Sequence, residues 1–431
     1  MSSTSPAPSP VLASLHTLSN GVRVICDPVP GLETVALSVV AGRGARHEDA
    51  ARSGWSHLLE HMVFKGAGDR SARDIVESIE SQGGHINAAT GYERTSFQIR
   101  ALSGGLDLGS AVLADLILRP RLDPADLVRE KQVVGQEIAE AVDTPDDQVF
   151  ELAQAAAYEG QPLGRSILGT DQSIAPATPE SLEAWRANLY APDKLIFAAS
   201  GAVDEDEILA LAERDFGAMA PGSSTDFHPA EFTGGVRAEA KSLEQANLVF
   251  MLPSVGVADP DYFALRLFAE ILGGGMSSRL FQEAREKLGL AYAVDAFAET
   301  YAEQGVLGIF AGCAAKDAAK LAEVAAQQIL NLAQGVTPAE LSRAKAQLKA
   351  GLFMARESPQ ARAEQAAGQV LLFDRLLTTT EITEDVDRVT AEDLHRVGAG
   401  LTRPGKVATS VLGPKTAHKA AEAFRRAIFA H

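Results

Sequence analysis

The stretch "SGWSHLLEHMVFKG", residues 53–66, sets His57 and His61 four residues apart, with Glu60 just before the second. On a helix the two imidazoles stand one turn apart on the same face. Imidazoles so placed can share one divalent ion, most often zinc. Glu60 borders that face and can take the proton of a water held there. The order His-x-x-Glu-His inverts the familiar zinc-protease order and is the inverzincin signature. The competing reading is a polar stripe on an ordinary surface helix. Leu58, Leu59, Met62, Val63 and Phe64 argue against it, because they make the helix apolar and draw the polar trio inward. Buried polar groups need partners, and a metal is one.

A catalytic metal needs a third protein ligand and an open position. An internal repeat narrows the search. "DPADLVREKQVVGQEIAEAVDTP" from Asp123 aligns without a gap to "TPAELSRAKAQLKAGLFMARESP" from Thr337, an offset of 214 residues. Pro124, Ala125, Leu127, Arg129, Lys131 and Pro145 recur as Pro338, Ala339, Leu341, Arg343, Lys345 and Pro359. A period of half the chain is a duplicated domain, not a solenoid, whose units run ~20–50 residues. Glu130 and Glu137, seven apart on one helix face, become Ala344 and Gly351 in the second copy. The first copy therefore carries acids that its scaffold does not demand. Either could complete the site, and spacing alone does not choose. Glu140, Asp143, Asp146 and Asp147 read better as a solvated acidic face.

The elements that must position these residues follow an α+β order. In the first half, "GVRVICDPV" and "TVALSVVAG" read as strands, and residues 53–66 as a helix ended by Gly66. "SARDIVESIESQGG" is a helix capped by Ser71 and ended at Gly83-Gly84. "HINAATGYERTSFQIRAL" is a strand pair turned at Gly91, followed by a long helix with Pro124 in its first turn. The second half repeats the theme: a strand at "ANLVFMLP", a helix at "DYFALRLFAEILGG", strands at "AYAVDAFAE" and "VLGIFAG", then long helices. The expectation is two homologous domains, 12–216 and 236–431, each a largely antiparallel sheet with helices on one face. The join is 217–235, "GAMAPGSSTDFHPAEFTGG", rich in Gly, Pro, Ser and Thr.

Bulk properties bound the function. The chain has 431 residues, 46% hydrophobic and 22% charged, the balance of a soluble globular protein. No apolar run reaches the ~20 residues of a membrane span. The N-terminal stretch lacks the marks of a secretory signal or a mitochondrial presequence and reads as a loose polar tail. Cys26 and Cys313 have neither metal nor redox spacing and suit a reducing compartment. A formal net charge of -18 argues against nucleic acid and is compatible with basic peptides.

Over nearly its whole length the sequence resembles the pitrilysin-type zinc peptidases. It looks most like the small two-domain class that includes the β subunit of mitochondrial processing peptidase and its bacterial relatives. The resemblance rests on "HLLEHMVFKG", "GGHINAATGYERTSFQ", "EKQVVGQEIAE" and "GGGMSSRLFQEAREKLGLAYAV", in that order. It implies one Zn2+ per chain, held by His57, His61 and Glu137, with Glu130 supporting the ligands and Glu60 as the base. Asn87 and Ala88 are implied to lie on an edge strand to which a peptide adds as a further strand. Arg285 and Tyr292 match the family's substrate-binding pair, with Tyr292 also a catalytic group that steadies the developing oxyanion. From the residues alone, Asn87 would be an ordinary strand-end residue, Arg285 a surface helix residue, Tyr292 the start of a strand, and His85 exposed. "GGGMSSR" at Gly273 lacks the Gly-Lys-Ser/Thr ending of a phosphate loop and reads as a turn.

The function so implied is a zinc metalloendopeptidase cleaving short or unfolded peptides, with a preference for basic, presequence-like ones. The family's chamber takes four homologous domains and this chain supplies two, so the resemblance implies a dimer. Both halves keep their motifs, which favours a homodimer over a heterodimer with an inactive homologue. The expected location is the cytoplasm of a bacterium rather than a periplasm or a mitochondrial matrix. The alternative is a non-catalytic structural subunit, or a peptide-binding homologue that needs a catalytic partner.

Overall fold

A computed structural model describes residues 13–220 and 229–430. Residues 1–12 of the expected polar tail and the centre of the expected join, residues 221–228, lie outside them; the rest of that N-terminal stretch is not a loose tail, because Ser14–Thr17 pair as a strand with residues 23–26. Six strands build the first sheet: β1 Ser14–Thr17, β2 Arg23–Pro28, β3 Thr34–Ala41, β4 His85–Thr90, β5 Thr95–Leu102 and β6 Leu195–Gly201, in the order β1-β2-β6-β3-β5-β4. Five build the second: β7 Gly235–Ala240, β8 Gln245–Val255, β9 Ala291–Thr300, β10 Gln304–Ala314 and β11 Ala408–Gly413, in the order β9-β10-β8-β11-β7. Read from the other end, the second order repeats the first. β2-β6-β3-β5-β4 answers to β7-β11-β8-β10-β9, and the one parallel contact in each sheet, β2 with β6 and β7 with β11, falls at the same place. Every other pairing is antiparallel. The molecule is thus an α+β fold made of two like halves.

Five helices carry the rest of the argument: α1 Trp55–Val63, α2 Pro124–Asp143, α3 Pro145–Ala157, α4 Pro338–Ala355 and α5 Pro359–Phe373. The prolines that open α2 and α3 recur, 214 residues later, as those that open α4 and α5. Proline suits this position because its missing N–H would be unpaired there anyway. α2 is capped by Asp123, which accepts from the Ala125 and Asp126 amides, and α4 by Thr337 in a reciprocal box with Glu340.

Helices of the first half cover one face of the first sheet, burying Val24, Leu37, Val39, Phe97, Ile99 and Phe197. Its other face is also covered, but by α5 of the second half. Ala363, Ala366, Ala367 and Val370 lie on Ile25, Val40, Ile196 and Ala198. In exchange, α3 of the first half lays Val149, Ala153 and Ala156 on Val249, Met251, Ala408 and Leu412 of the second sheet. The expectation of helices on one face holds for each half's own helices; the exchanged helix is an addition to it. It explains why the central strands are apolar on both faces. A buried ion pair fastens one exchange. Arg362 on α5 holds both oxygens of Asp27 at 2.6 Å, and Ser200 donates to the same carboxylate.

Candidate metal centre

α1 starts where glycine is required. Gly54 sits at φ 88°, and a Cβ there would stand 2.5 Å from the Leu168 carbonyl oxygen. With no side chain at that position, Glu48 supplies the cap from outside. Its buried carboxylate accepts from the Gly54 amide at 2.8 Å and the Ser56 amide at 2.6 Å. Trp55 donates its indole N–H to the Ser173 carbonyl and Trp185 donates to Ser56, which fixes the helix start. Leu58, Leu59, Met62 and Val63 are fully buried. That orientation turns His57, Glu60 and His61 toward α2. The helix ends at Val63 rather than at Gly66. The Phe64 and Lys65 amides close onto the His61 and Met62 carbonyls, and Gly66 opens a two-residue ladder with Ser71.

α2 brings Glu130 and Glu137 to α1 with different roles. The Glu137 Oε2 atom lies 3.6 Å from His57 Nε2 and 3.4 Å from His61 Nε2. These gaps are long for hydrogen bonds. They match the edges of a tetrahedron around a metal with bonds of about 2.0–2.1 Å, which are about 3.3–3.4 Å. Glu137 Oε2 is buried and has no hydrogen-bond partner. His57, His61 and Glu137 thus offer three ligand atoms within 4.8 Å of one another. A buried carboxylate oxygen with no donor, facing two imidazole nitrogens, is a donor set that fits zinc.

Glu130 stands behind. Its Oε2 atom is 3.1 Å from His61 Nδ1 and its Oε1 is 2.9 Å from Lys65 Nζ, with the side chain 7% exposed. The two glutamates that spacing could not rank are therefore distinguished by geometry. Burial, and then the neighbouring His61, push the His57 imidazole down to about 4, so it is neutral and its lone pair is available at physiological pH. Burial raises the Glu60 carboxyl above the usual carboxylate range, and Thr90 opposes this by donating to Glu60 Oε2 at 2.5 Å. Thr90 lies inside a quoted motif yet was given no role; its register on the strand after "HINAA" was the available signal. Glu48 was missed because no local pattern ties it to the helix it caps.

Asn87 and Ala88 lie on β4, the edge of the first sheet, with Asn87 exposed and Ala88 partly buried. Tyr292 occupies the matching edge strand of the second half, β9. A bulge between Ala291 and Ala293 leaves it unpaired with β10 and 62% exposed. Arg285 sits in a wide-turn helical stretch, Phe281–Lys287, with its guanidinium 4.8 Å from the centre of the Phe281 ring. Among the described residues, neither Arg285 nor Tyr292 makes an ion pair or hydrogen bond with the His57–His61–Glu137 cluster. His85 is exposed and outside the cluster. Cys26 and Cys313 are buried and unpaired. No helix among the described residues is long and apolar enough to cross a membrane.

The family described as "Insulinase (Peptidase family M16)" matches residues 23–171, and "Peptidase M16 inactive domain" matches residues 176–348. The chain belongs to peptidase family M16. A Rickettsia felis protein named "Uncharacterized zinc protease" is 35% identical, over 93% of this chain and 97% of its own length. Among solved structures, a Helicobacter pylori protease superposes with a TM-score of 0.87 at 22% identity, covering 94% of this chain and 99% of that one. A chain of complex III2 from Candida albicans superposes at 0.81 with 20% identity, covering 95% and 99%. At those identities the two superpositions establish the fold alone. Membership of M16 puts the chain in a family of zinc proteases. The "inactive" match takes in Ala344, which stands where Glu130 does in the first half, and ends three residues before Gly351, which stands where Glu137 does.

Proposed function

We propose that this chain is a zinc-dependent endopeptidase that cuts short or unfolded peptides. The observation that carries the reading is the convergence of His57, His61 and Glu137 at metal-ligand separations, with Glu60 on the same helix face. Zinc held there would polarise the scissile carbonyl and acidify a water. Glu60 would accept the water's proton and return it to the leaving amine. Its raised proton affinity brings it closer to the operating pH, as general catalysis favours. Thr90 occupies one Glu60 oxygen and leaves the other for that proton. Glu130 orients the His61 ring so that Nε2 faces the shared position.

The free edge of β4 would take the peptide as an added strand, with Asn87 holding its backbone. Arg285 and Tyr292 would stabilise the oxyanion. Two homologous domains in this chain, against the four of the family's chamber, support supply of this pair by a second copy, in a homodimer that closes the chamber and selects substrates by size. A heterodimer with an inactive homologue is the alternative arrangement. The charge of -18 supports a preference for basic peptides and a cytoplasmic site of action is proposed with it. The division at 217–235 is proposed on the repeated strand order to either side of it. The rival, a structural or partner-dependent peptide-binding subunit, would have no use for three ligand atoms and a base so arranged.

The test is hydrolysis of a quenched, arginine-containing peptide by the zinc-loaded chain alone, beside Glu60→Gln prepared identically. Wild-type cleavage with a loss of about 10²–10⁴-fold in the variant is expected, at equal zinc content. Equal rates would show that Glu60 is not the base. Absence of cleavage by the wild type would favour the rival.

A further inference from the structure

The free edge strand has two faces, and the metal centre uses only one. Ile86 and Ala88 pack toward the helices, and Thr90, on the same side, reaches Glu60. His85, Asn87 and Ala89 point to the opposite face and are exposed. There the strand pairing sets His85 opposite Arg100 and Asn87 opposite Gln98 of β5. A cavity of about 340 Å³, open to solvent, lies on this face between the strand ends and the start of α5. His85, Arg100, Leu102, Ser358 and Gln360 line it. Gln360 is already engaged, donating to Gln98 at 2.5 Å and to Glu364 at 2.9 Å. The exposed Arg100 guanidinium has no acidic partner among the described residues.

A peptide added outside β4 would lie two strand spacings, about 10 Å, from β5, with alternate side chains on the cavity face. Residues on that face would meet His85 first and the Arg100 guanidinium across it. We infer that this cavity is a subsite for a carboxylate-bearing side chain, Asp or Glu, of the bound peptide, with Arg100 as the residue that selects it. The inference rests on the proposed addition of a peptide to the β4 edge. It makes a distinction within the substrate. The field of an acidic protein draws basic peptides from a distance, while a single unpaired cation beside the binding edge favours an acid at one position. That position falls within about six residues of the cleaved bond, the length of β4 from His85 to Thr90.

The experiment measures binding, so that it does not depend on turnover. The zinc-loaded full chain carrying Glu60→Gln is titrated against fluorescein-labelled peptides of one length by anisotropy, with Glu or Lys replacing Gln at one position at a time. At one position Glu should tighten binding about 3- to 5-fold, the size an exposed ion pair supports, and added salt should erase the gain. Arg100→Gln should abolish the preference, and Arg100→Glu should turn it toward Lys. A flat scan overturns the inference, as does a preference that survives both Arg100 variants, or an absence of binding by every peptide. The expected pattern in a protein whose wild type cleaves nothing would keep the subsite and remove the peptidase reading.

Discussion

Replacing Glu130 by glutamine should loosen the metal without touching a ligand. If His61 binds through Nε2, its Nδ1 carries the proton and donates to Glu130 Oε2 across 3.1 Å. The carboxylate is nearly buried, so this is a charge-assisted bond in a poorly solvated place. Such bonds contribute about 1.5–3 kcal/mol, and neutral ones about 0.5–1.5. Glutamine can keep the neutral bond, so the difference is about 1–1.5 kcal/mol, or roughly 5- to 13-fold in the zinc dissociation constant. Alanine removes the acceptor altogether and should approach 100-fold, the upper range for partners behind a ligand. The assay is competition with a chromophoric chelator at pH 7.5, which reads affinity and not activity. Lys65→Met is the control. It breaks the 2.9 Å contact between Lys65 and Glu130 but leaves the acceptor for His61, so affinity should hold or rise as a cation is removed. Unchanged affinity in Glu130→Gln would refute the reasoning and reduce Glu130 to an ion pair between helices. A loss in Lys65→Met equal to that in Glu130→Gln would do the same.

Thr90→Val keeps shape but removes the largest of the interactions that oppose the burial of Glu60. Neutral-pH kcat/KM should fall about 10-fold and recover partly toward alkaline pH, with zinc content unchanged; a uniform loss at all pH values would contradict this. Arg362→Met strips the buried Asp27 of its bidentate partner and should cost about 3–5 kcal/mol, read as a lower Tm, and an unchanged Tm would count against the exchange of helices as a fastening. Burial pushes the Glu48 carboxyl up to about 7 from 4.5. With a raised folded value, the stability it lends is full below pH 4.5 and is lost as pH rises toward 7. Between those limits the wild type should lose about 3 kcal/mol relative to Glu48→Gln, in paired thermal melts; a pH-independent difference would show that Glu48 ionises normally.

The candidate metal ligands were legible because they follow local rules. Two histidines one turn apart announce a shared face, and a duplicated helix that drops Glu130 and Glu137 marks those acids as surplus to the scaffold. What spacing alone could not choose was which acid faces the nitrogens, since seven residues leave both on one stripe; only the family resemblance pointed to Glu137. The strands β6, "LIFAASG", and β11, "ATSVLG", escaped for a related reason. Both lie buried on two faces, so neither shows the alternation that marks a half-exposed strand. The second covering layer comes from a helix of the other half, and no local pattern in β6 foretells α5. Glu48 and Thr90 act across 6 and 30 residues on α1, through contacts that exist only once the chain has folded.

The duplication also explains where the two groups of proposed substrate-binding residues stand. Asn87 and Tyr292 lie on β4 and β9, which hold the same outer position in equivalent sheets. The hairpin turns that follow these strands meet at Arg46, whose side chain is 1% exposed. It pairs with Glu93 after β4 and, at 2.5 Å, with Glu303 after β9. Glu93 in turn accepts from the Ala302 amide. Two edge strands from two halves are thus tied turn to turn by one buried cation, and the exchanged helices α3 and α5 hold the sheets behind them. A hinge between the halves would have to break the Arg46 pairs, the Arg362–Asp27 pair and two apolar faces together. The chain therefore acts as one rigid wall carrying both edges. In the proposed chamber of two such chains, opening would therefore come from movement between the chains and not from flexing within one.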